Sequence, residues 1–217
     1  MNEHIKLLIL DLDGTLADTI ESIREGVNIA MRKHGYPERS YEEIRRAIGN
    51  GARELIRLSL PEGLSKEVVD TVFRDYHEAY GETYTHCTEC YDGIPESLLT
   101  LRERGYTLAV LSNKQDVYVK ELVKILLPEG LVASAAGQTD LPKKPDPTVP
   151  LMIADTLGFA PKETAFIGDS EVDVLTGKNA GMLTVGCSWG YRDREVLVES
   201  RADFVLDHPS ELVEIFA

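Results

Sequence analysis

From about residue 92 onward, short apolar runs alternate with helix-length segments, and nothing else in this 217-residue chain narrows the fold as much. The runs are Leu108-Ala109-Val110-Leu111, Ala165-Phe166-Ile167 and Leu183-Thr184-Val185, with Phe204-Val205-Leu206 weaker and Leu131 to Ala136 ambiguous. Between them Pro95 to Arg104, Asp116 to Leu127, Thr148 to Leu157 and Val172 to Ala180 have helical lengths, and Gly105, Gly158 and Gly181 stand where C′ glycines end helices. Strand and helix in alternation are joined by right-handed crossovers, so a parallel sheet covered by helices is expected. Ligands of such sheets bind beyond the carboxyl ends of the strands. Ile5 to Leu10 is a further run suited to a strand buried on both faces, and it leads directly into Asp11-Leu12-Asp13-Gly14-Thr15.

Residues 17 to 87 break this rhythm. Ile20, Ile23, Val27, Ala30 and Met31 recur at helical spacing until Gly35 and Pro37. Ser40 and Glu43 have capping-box spacing ahead of Ile44, Ala47 and Ile48. Leu55, Ile56 and Leu58, then Val68, Val69, Val72, Phe73 and Tyr76, mark two more helices. The expected organisation is an α/β core of residues 1–16 and 88–217, with a helical domain of residues 17–87 inserted after the first strand.

Composition limits the partners. Lys and Arg number 23 against 37 Asp and Glu, a formal net charge of −14 that disfavours nucleic acid and anionic membranes. No apolar stretch reaches the ~18 residues of a spanning helix, and the N-terminus lacks a basic region before its apolar run, so a cytoplasmic protein is expected. Cys87, Cys90 and Cys187 are an odd, sparse set suited to free thiols. His86-Cys87-x-x-Cys90 has no second Cys or His pair to complete a zinc site. Gly49-x-Gly51 is not a dinucleotide fingerprint, and Gly177-Lys178 is not a P-loop.

The chemistry gathers at two strand ends. Asp11 and Asp13 follow the first run, and Gly168-Asp169-Ser170-Glu171-Val172-Asp173 again places an Asp directly after a buried strand, with another four residues later. Turns and helix caps use Asp in this way, but they account poorly for all four carboxylates. Ser112-Asn113 ends another apolar run, and Lys144 stands in Lys144-Pro145-Asp146-Pro147.

In this order the four segments resemble the motifs of the haloacid dehalogenase superfamily, and the likeness extends over the whole chain. It implies a Rossmann-like parallel sheet with residues 17–87 as a helical cap. It also implies hydrolysis of a phosphomonoester through an aspartyl phosphate: Asp11 as nucleophile, Asp13 protonating the leaving alcohol, Lys144 neutralising charge, and Ser112 with the Asn113 backbone binding phosphoryl oxygens. Thr15 is expected to help hold Asp13. The cofactor implied is Mg²⁺, held by Asp11, Asp169 and the backbone carbonyl of Asp13, with Asp173 acting through water or orienting Lys144. At an ordinary pKa near ~3.9 Asp11 would be ionised at neutral pH and need no base. Repulsion is the difficulty, since like charges about 4 Å apart cost on the order of 4 kcal/mol at an effective dielectric of 20.

Particular positions bear on the substrate. Haloacid dehalogenases themselves lack an acid at the position of Asp13, which favours phosphate esters here. Ile23 stands where the β-phosphoglucomutase branch has a cap histidine, and neither Lys33 nor Lys66 marks a phosphonate hydrolase. Ile48-Gly49-Asn50-Gly51-Ala52-Arg53-Glu54-Leu55 looks like the specificity segment of phosphoglycolate phosphatases, with Asn50 in a glycine-flanked turn and Arg53 able to pair with a substrate carboxylate. Trp189-Gly190-Tyr191-Arg192 and Asp207-His208-Pro209-Ser210 are similar to that branch as well. The partner expected is therefore a small phosphorylated substrate, bound by a monomer or homodimer. Pyrophosphatase, nucleotidase, sugar-phosphate phosphatase or phosphomutase activity, and a non-catalytic binding module, remain alternatives.

Overall fold

The computed structural model describes residues 4–217, which divide into two compact units, residues 4–17 with 90–217, and residues 18–89. The first unit begins with β1 (Leu7–Leu10), and the chain leaves it through the short β2 (Ala17–Asp18). The second unit holds α1 (Ile20–Lys33), α2 (Tyr41–Ala47), α3 (Ala52–Ser59) and α4 (Lys66–Thr83). After β3 (Glu89–Cys90) the first unit resumes with α5 (Ile94–Glu103), β4 (Thr107–Gln115), α6 (Asp116–Leu126), β5 (Ser134–Gln138) and α7 (Thr148–Leu157). It ends with β6 (Thr164–Gly168), α8 (Glu171–Asn179), β7 (Leu183–Cys187), α9 (Arg194–Glu199), β8 (Phe204–Leu206) and α10 (Glu211–Ile215).

Six of these strands form one parallel sheet in the order β5-β4-β1-β6-β7-β8. β1 lies inside because Leu7, Leu8, Ile9 and Leu10 are all buried, leaving neither face suited to solvent. Leu7, Ile9, Ala109, Leu111 and Phe166 form a core cluster with Ile153, Ala154 and Met182. Each large side chain so buried is worth roughly 1.5–3 kcal/mol. The connections diverge on either side of β1, with β4 and β5 on one side and β6 to β8 on the other. The crevice beyond the end of β1 is thus the topological switch point, where sheets of this type bind ligands.

Two strands depart from the sequence pattern. β4 continues past Leu111 to Gln115, and its pairing with β5 shifts register between those residues, as at a β-bulge. β5 is Ser-Ala-Ala-Gly-Gln, without the β-branched or aromatic residues that mark a strand. Gly105, Gly158 and Gly181 do end their helices with positive φ.

In the second unit, Ile23, Val27, Met31, Ile44, Ile56, Val72 and Tyr76 are buried, while Leu58 is exposed. Ser40 and Glu43 form a full capping box at the start of α2. Hydrogen bonds from the Ser40 backbone and hydroxyl, joined by Arg39, hold the Glu43 carboxyl down at about 2. Among the described residues no helix is long and apolar enough to cross a membrane.

Candidate active site

Asp11 is the first residue after β1, with its N–H donating to the Ile167 carbonyl at 2.9 Å. The next residues turn tightly, since the Leu12 carbonyl accepts from the backbone N–H groups of both Leu16 and Ala17 at 3.0 Å. Asp169 follows β6, the strand beside β1, and Asp173 lies on the first turn of α8. The parallel register therefore brings three carboxylates together, each less than a tenth exposed, with oxygens within 4.8 Å of one another.

Lys144 joins this cluster from the loop before α7. Its Nζ lies 2.9 Å from Asp11 Oδ1 and 2.7 Å from Asp173 Oδ1, with only 2% of the side chain exposed. Its backbone is held by Asn113, whose Oδ1 accepts from the Lys144 N–H at 2.9 Å and whose Nδ2 donates to the Lys144 carbonyl at 3.2 Å. Asp173 serves two purposes at once. Oδ2 accepts from the Ser170 N–H and hydroxyl, completing a capping box on α8, while Oδ1 holds Lys144. Helix capping and the charged cluster thus use the same carboxylate.

Asp169 is fixed from another side. Its Oδ2 accepts from the Tyr191 N–H at 2.7 Å, and its Oδ1 accepts from the Thr15 hydroxyl at 3.5 Å. Trp189 donates from Nε1 to the Thr15 carbonyl at 3.0 Å. A Cβ on Gly190 would lie 2.2 Å from the Gly14 carbonyl oxygen and 2.3 Å from Asp169 Cβ, so only glycine permits this approach. At Gly168 a Cβ would meet Asp173 Cβ at 2.4 Å. The segment Trp189–Tyr191 thus braces both the Asp11–Thr15 turn and Asp169. Thr15 reaches Asp169, where the sequence suggested Asp13.

Asp13 is partnered by a residue the motifs passed over. Lys114 Nζ lies 2.8 Å from Asp13 Oδ1, and its side chain is 6% exposed. Lysine after Ser112-Asn113 reads as a solvated residue in sequence, and only the extension of β4 carries it inward. Ser112 is buried in the same stretch, and its hydroxyl accepts from the Lys114 N–H at 3.3 Å.

Of the expected site residues, Asp11, Asp169, Asp173 and Lys144 meet directly, Asp13 pairs with Lys114, which the motifs did not mark, and Thr15 and Asn113 support the cluster. Arg53 and Asn50 belong to the other unit. There the Arg53 guanidinium pairs with Asp70 and lies over the Phe73 ring, 5.7 Å from its centroid.

The cluster is short of positive charge. Burial pushes the Asp11 carboxyl up to about 7; Lys144 opposes this, and the charges of Asp173 and Asp13 reinforce it. Burial likewise raises Asp169 well above the carboxylate range, with Asp173 and Asp11 adding to it. For Lys144 burial acts to lower the pKa, but Asp11 and Asp173 outweigh it and the ammonium lies above its usual value. The expectation that Asp11 is ionised at an ordinary carboxylate pKa therefore fails in the metal-free protein, because water cannot solvate its charge. Among the described residues here, four carboxylates face the two ammonium groups of Lys144 and Lys114, and Arg192 is taken by Glu171 at 3.1 Å. One divalent cation would neutralise that excess, and an all-oxygen set of carboxylates is chemically suited to a hard metal ion.

The sequence profile of the haloacid dehalogenase-like hydrolases matches residues 8–187. The chain belongs to that family. Phosphoglycolate phosphatase of Haemophilus influenzae is 32% identical over 223 residues, spanning 99% of this chain and 100% of that protein. Phosphoglycolate phosphatase 1 of Pseudomonas aeruginosa is 30% identical over 214 residues, or 96% of this chain and 78% of the other. A crystal structure described as a predicted phosphoglycolate phosphatase from Haemophilus somnus shares the fold with a TM-score of 0.92, at 27% identity over 99% of both chains. This member of the haloacid dehalogenase-like hydrolases is accordingly an enzyme, a phosphatase, with a buried aspartate triad able to hold a metal ion.

Proposed function

We propose that this chain is a Mg²⁺-dependent phosphomonoesterase that works through a phosphoryl group on Asp11, with 2-phosphoglycolate as its substrate. The observation that carries the reading is the bridge from Lys144 to Asp11 and Asp173, which sets an ammonium group beside the nucleophile inside an acidic cluster. Asp11, Asp169 and the Asp13 carbonyl would hold Mg²⁺. Asp173, already bonded to Ser170 and Lys144, suits the task of orienting the lysine. Bound there, Mg²⁺ supplies positive charge against the phosphoryl oxygens.

The residues of the chain do the rest. An Asp11 carboxylate oxygen forms a bond to phosphorus as the ester P–O bond breaks, and Asp13 gives its proton to the leaving oxygen. Asp13 then takes a proton from the water that attacks the aspartyl phosphate, releasing phosphate and restoring Asp11. Lys144 holds negative charge throughout, and the Ser112 hydroxyl with the Asn113 N–H contacts phosphoryl oxygens. Thr15 keeps Asp169 in place. In the helical unit, Arg53 and Asn50 of the Gly49-Asn50-Gly51 turn are the groups chemically suited to a carboxylate. The names of the relatives support the substrate, and the net charge of −14 disfavours nucleic-acid partners.

The test is phosphate release with Mg²⁺ and with chelator, across 2-phosphoglycolate, pyrophosphate, nucleoside monophosphates and hexose phosphates, with Asp11→Asn as control. A large excess of kcat/KM for 2-phosphoglycolate, abolished by chelator and by Asp11→Asn, is expected. Preference for another of these compounds overturns the substrate, and release by Asp11→Asn equal to wild type overturns the mechanism.

A further inference from the structure

Lys114 is a buried cation that the reaction as read above does not employ. Taking an ammonium group out of water is costly unless it is paired. Its carboxylate partner is Asp13 at 2.8 Å, from the turn after β1. The backbone accounts for the placement. Leu111 of β4 pairs with Ala136 and Gln115 with Gln138, so the intervening residues of β4 fall out of register with β5. A regular strand would send Asn113 and Lys114 to opposite faces, but a bulge can aim neighbouring side chains the same way. Asn113 reaches the backbone of Lys144 and Lys114 reaches Asp13, so one irregularity serves both sides of the reacting group.

We propose that Lys114 is a positioning residue for proton transfer: it fixes the Asp13 side chain by one oxygen, so that the proton can pass to the leaving oxygen as the ester P–O bond breaks. The inference rests on the acid–base reading of Asp13. It assigns Lys114 no contact with substrate, so its influence scales with how much the leaving group needs a proton.

First-turnover release of phenols from a series of aryl phosphates tests this, because poorly acidic phenols need protonation and p-nitrophenol needs little. General acid catalysis contributes about 10²–10⁴-fold, so Lys114→Met should slow phenyl phosphate by about tenfold or more while p-nitrophenyl phosphate falls far less. Lys114→Arg should recover most of the loss. In an Asp13→Asn background, Lys114→Met should add no further dependence on the leaving group. The comparison is a ratio between substrates on one preparation, so partial unfolding of a variant cancels. Equal loss across the series, or an undiminished loss in the Asp13→Asn background, overturns the role of Lys114. If Asp13→Asn itself leaves the leaving-group dependence unchanged, the acid–base reading of Asp13 falls, and the role of Lys114 with it.

Discussion

At the C-terminal edge of the sheet Lys144 bridges two carboxylates with 2% of its side chain exposed, whereas in the helical unit Arg32 and Glu38 pair at 3.0 Å with about half of each side chain in solvent. Both are cation–carboxylate contacts, and the energetics differ. Removing one partner of a buried pair leaves a charge without water, at a cost of about 3–5 kcal/mol. Exposed pairs contribute about 0–1 kcal/mol, since water replaces the lost partner. Charge in the buried cluster is therefore costly to unpair, while the exposed Arg32–Glu38 pair of the helical unit can change at little cost.

The sharpest way to break this contrast is Lys144→Met. In chelator at pH 8 it should lose about 3–5 kcal/mol by urea denaturation, and kcat should fall by at least about 10²-fold. A loss no greater than that of an exposed pair would mean that the cluster is solvated.

Next in size is the pH dependence of the metal-free protein. The Asp11 pKa is raised from 3.8 to about 7 on folding, so the folded state binds the extra proton between those values. The resulting stabilisation is complete below about pH 4 and is lost as pH rises through 7, on the order of a few kcal/mol. Asp11→Asn should therefore match wild type near pH 4 and exceed it in denaturation midpoint at pH 8. A difference that does not change with pH would contradict the burial of this charge.

Gly190→Ala tests the brace. Its Cβ would lie 2.2 Å from the Gly14 carbonyl oxygen, so the turn or Asp169 must move, at about 1–3 kcal/mol with a fall in kcat. Wild-type stability and turnover would show that the segment after β7 adapts freely. The smallest effect belongs to Arg32→Ala, where a change of at most about 1 kcal/mol is expected by denaturation.

The same contrast explains what the sequence could reveal. Leu7–Leu10 and the runs beside it announce a sheet because burial on both faces demands continuous apolar residues, and Asp11 and Asp169 stand out because charge at such strand ends is costly. β5 stayed ambiguous because Ala135, Ala136 and Gly137 carry no β signal, and α9 and α10 are too short for a period to show. Lys114 escaped notice because nothing local distinguishes a buried lysine from a solvated one; the register shift of β4 decides it. Arg53 was legible as a cation, but its partner Asp70 lies a helix away, and pairing across helices leaves no mark on spacing.

The most direct measurement of the central claim is acid quenching of the enzyme during turnover of 2-phosphoglycolate with Mg²⁺, followed by peptide mass spectrometry. One added phosphoryl group on Asp11 is predicted in the wild type, and it is missing in Asp11→Asn. Sustained turnover with no phosphoryl group on Asp11 in the wild type, or one carried by a different residue, would contradict the account.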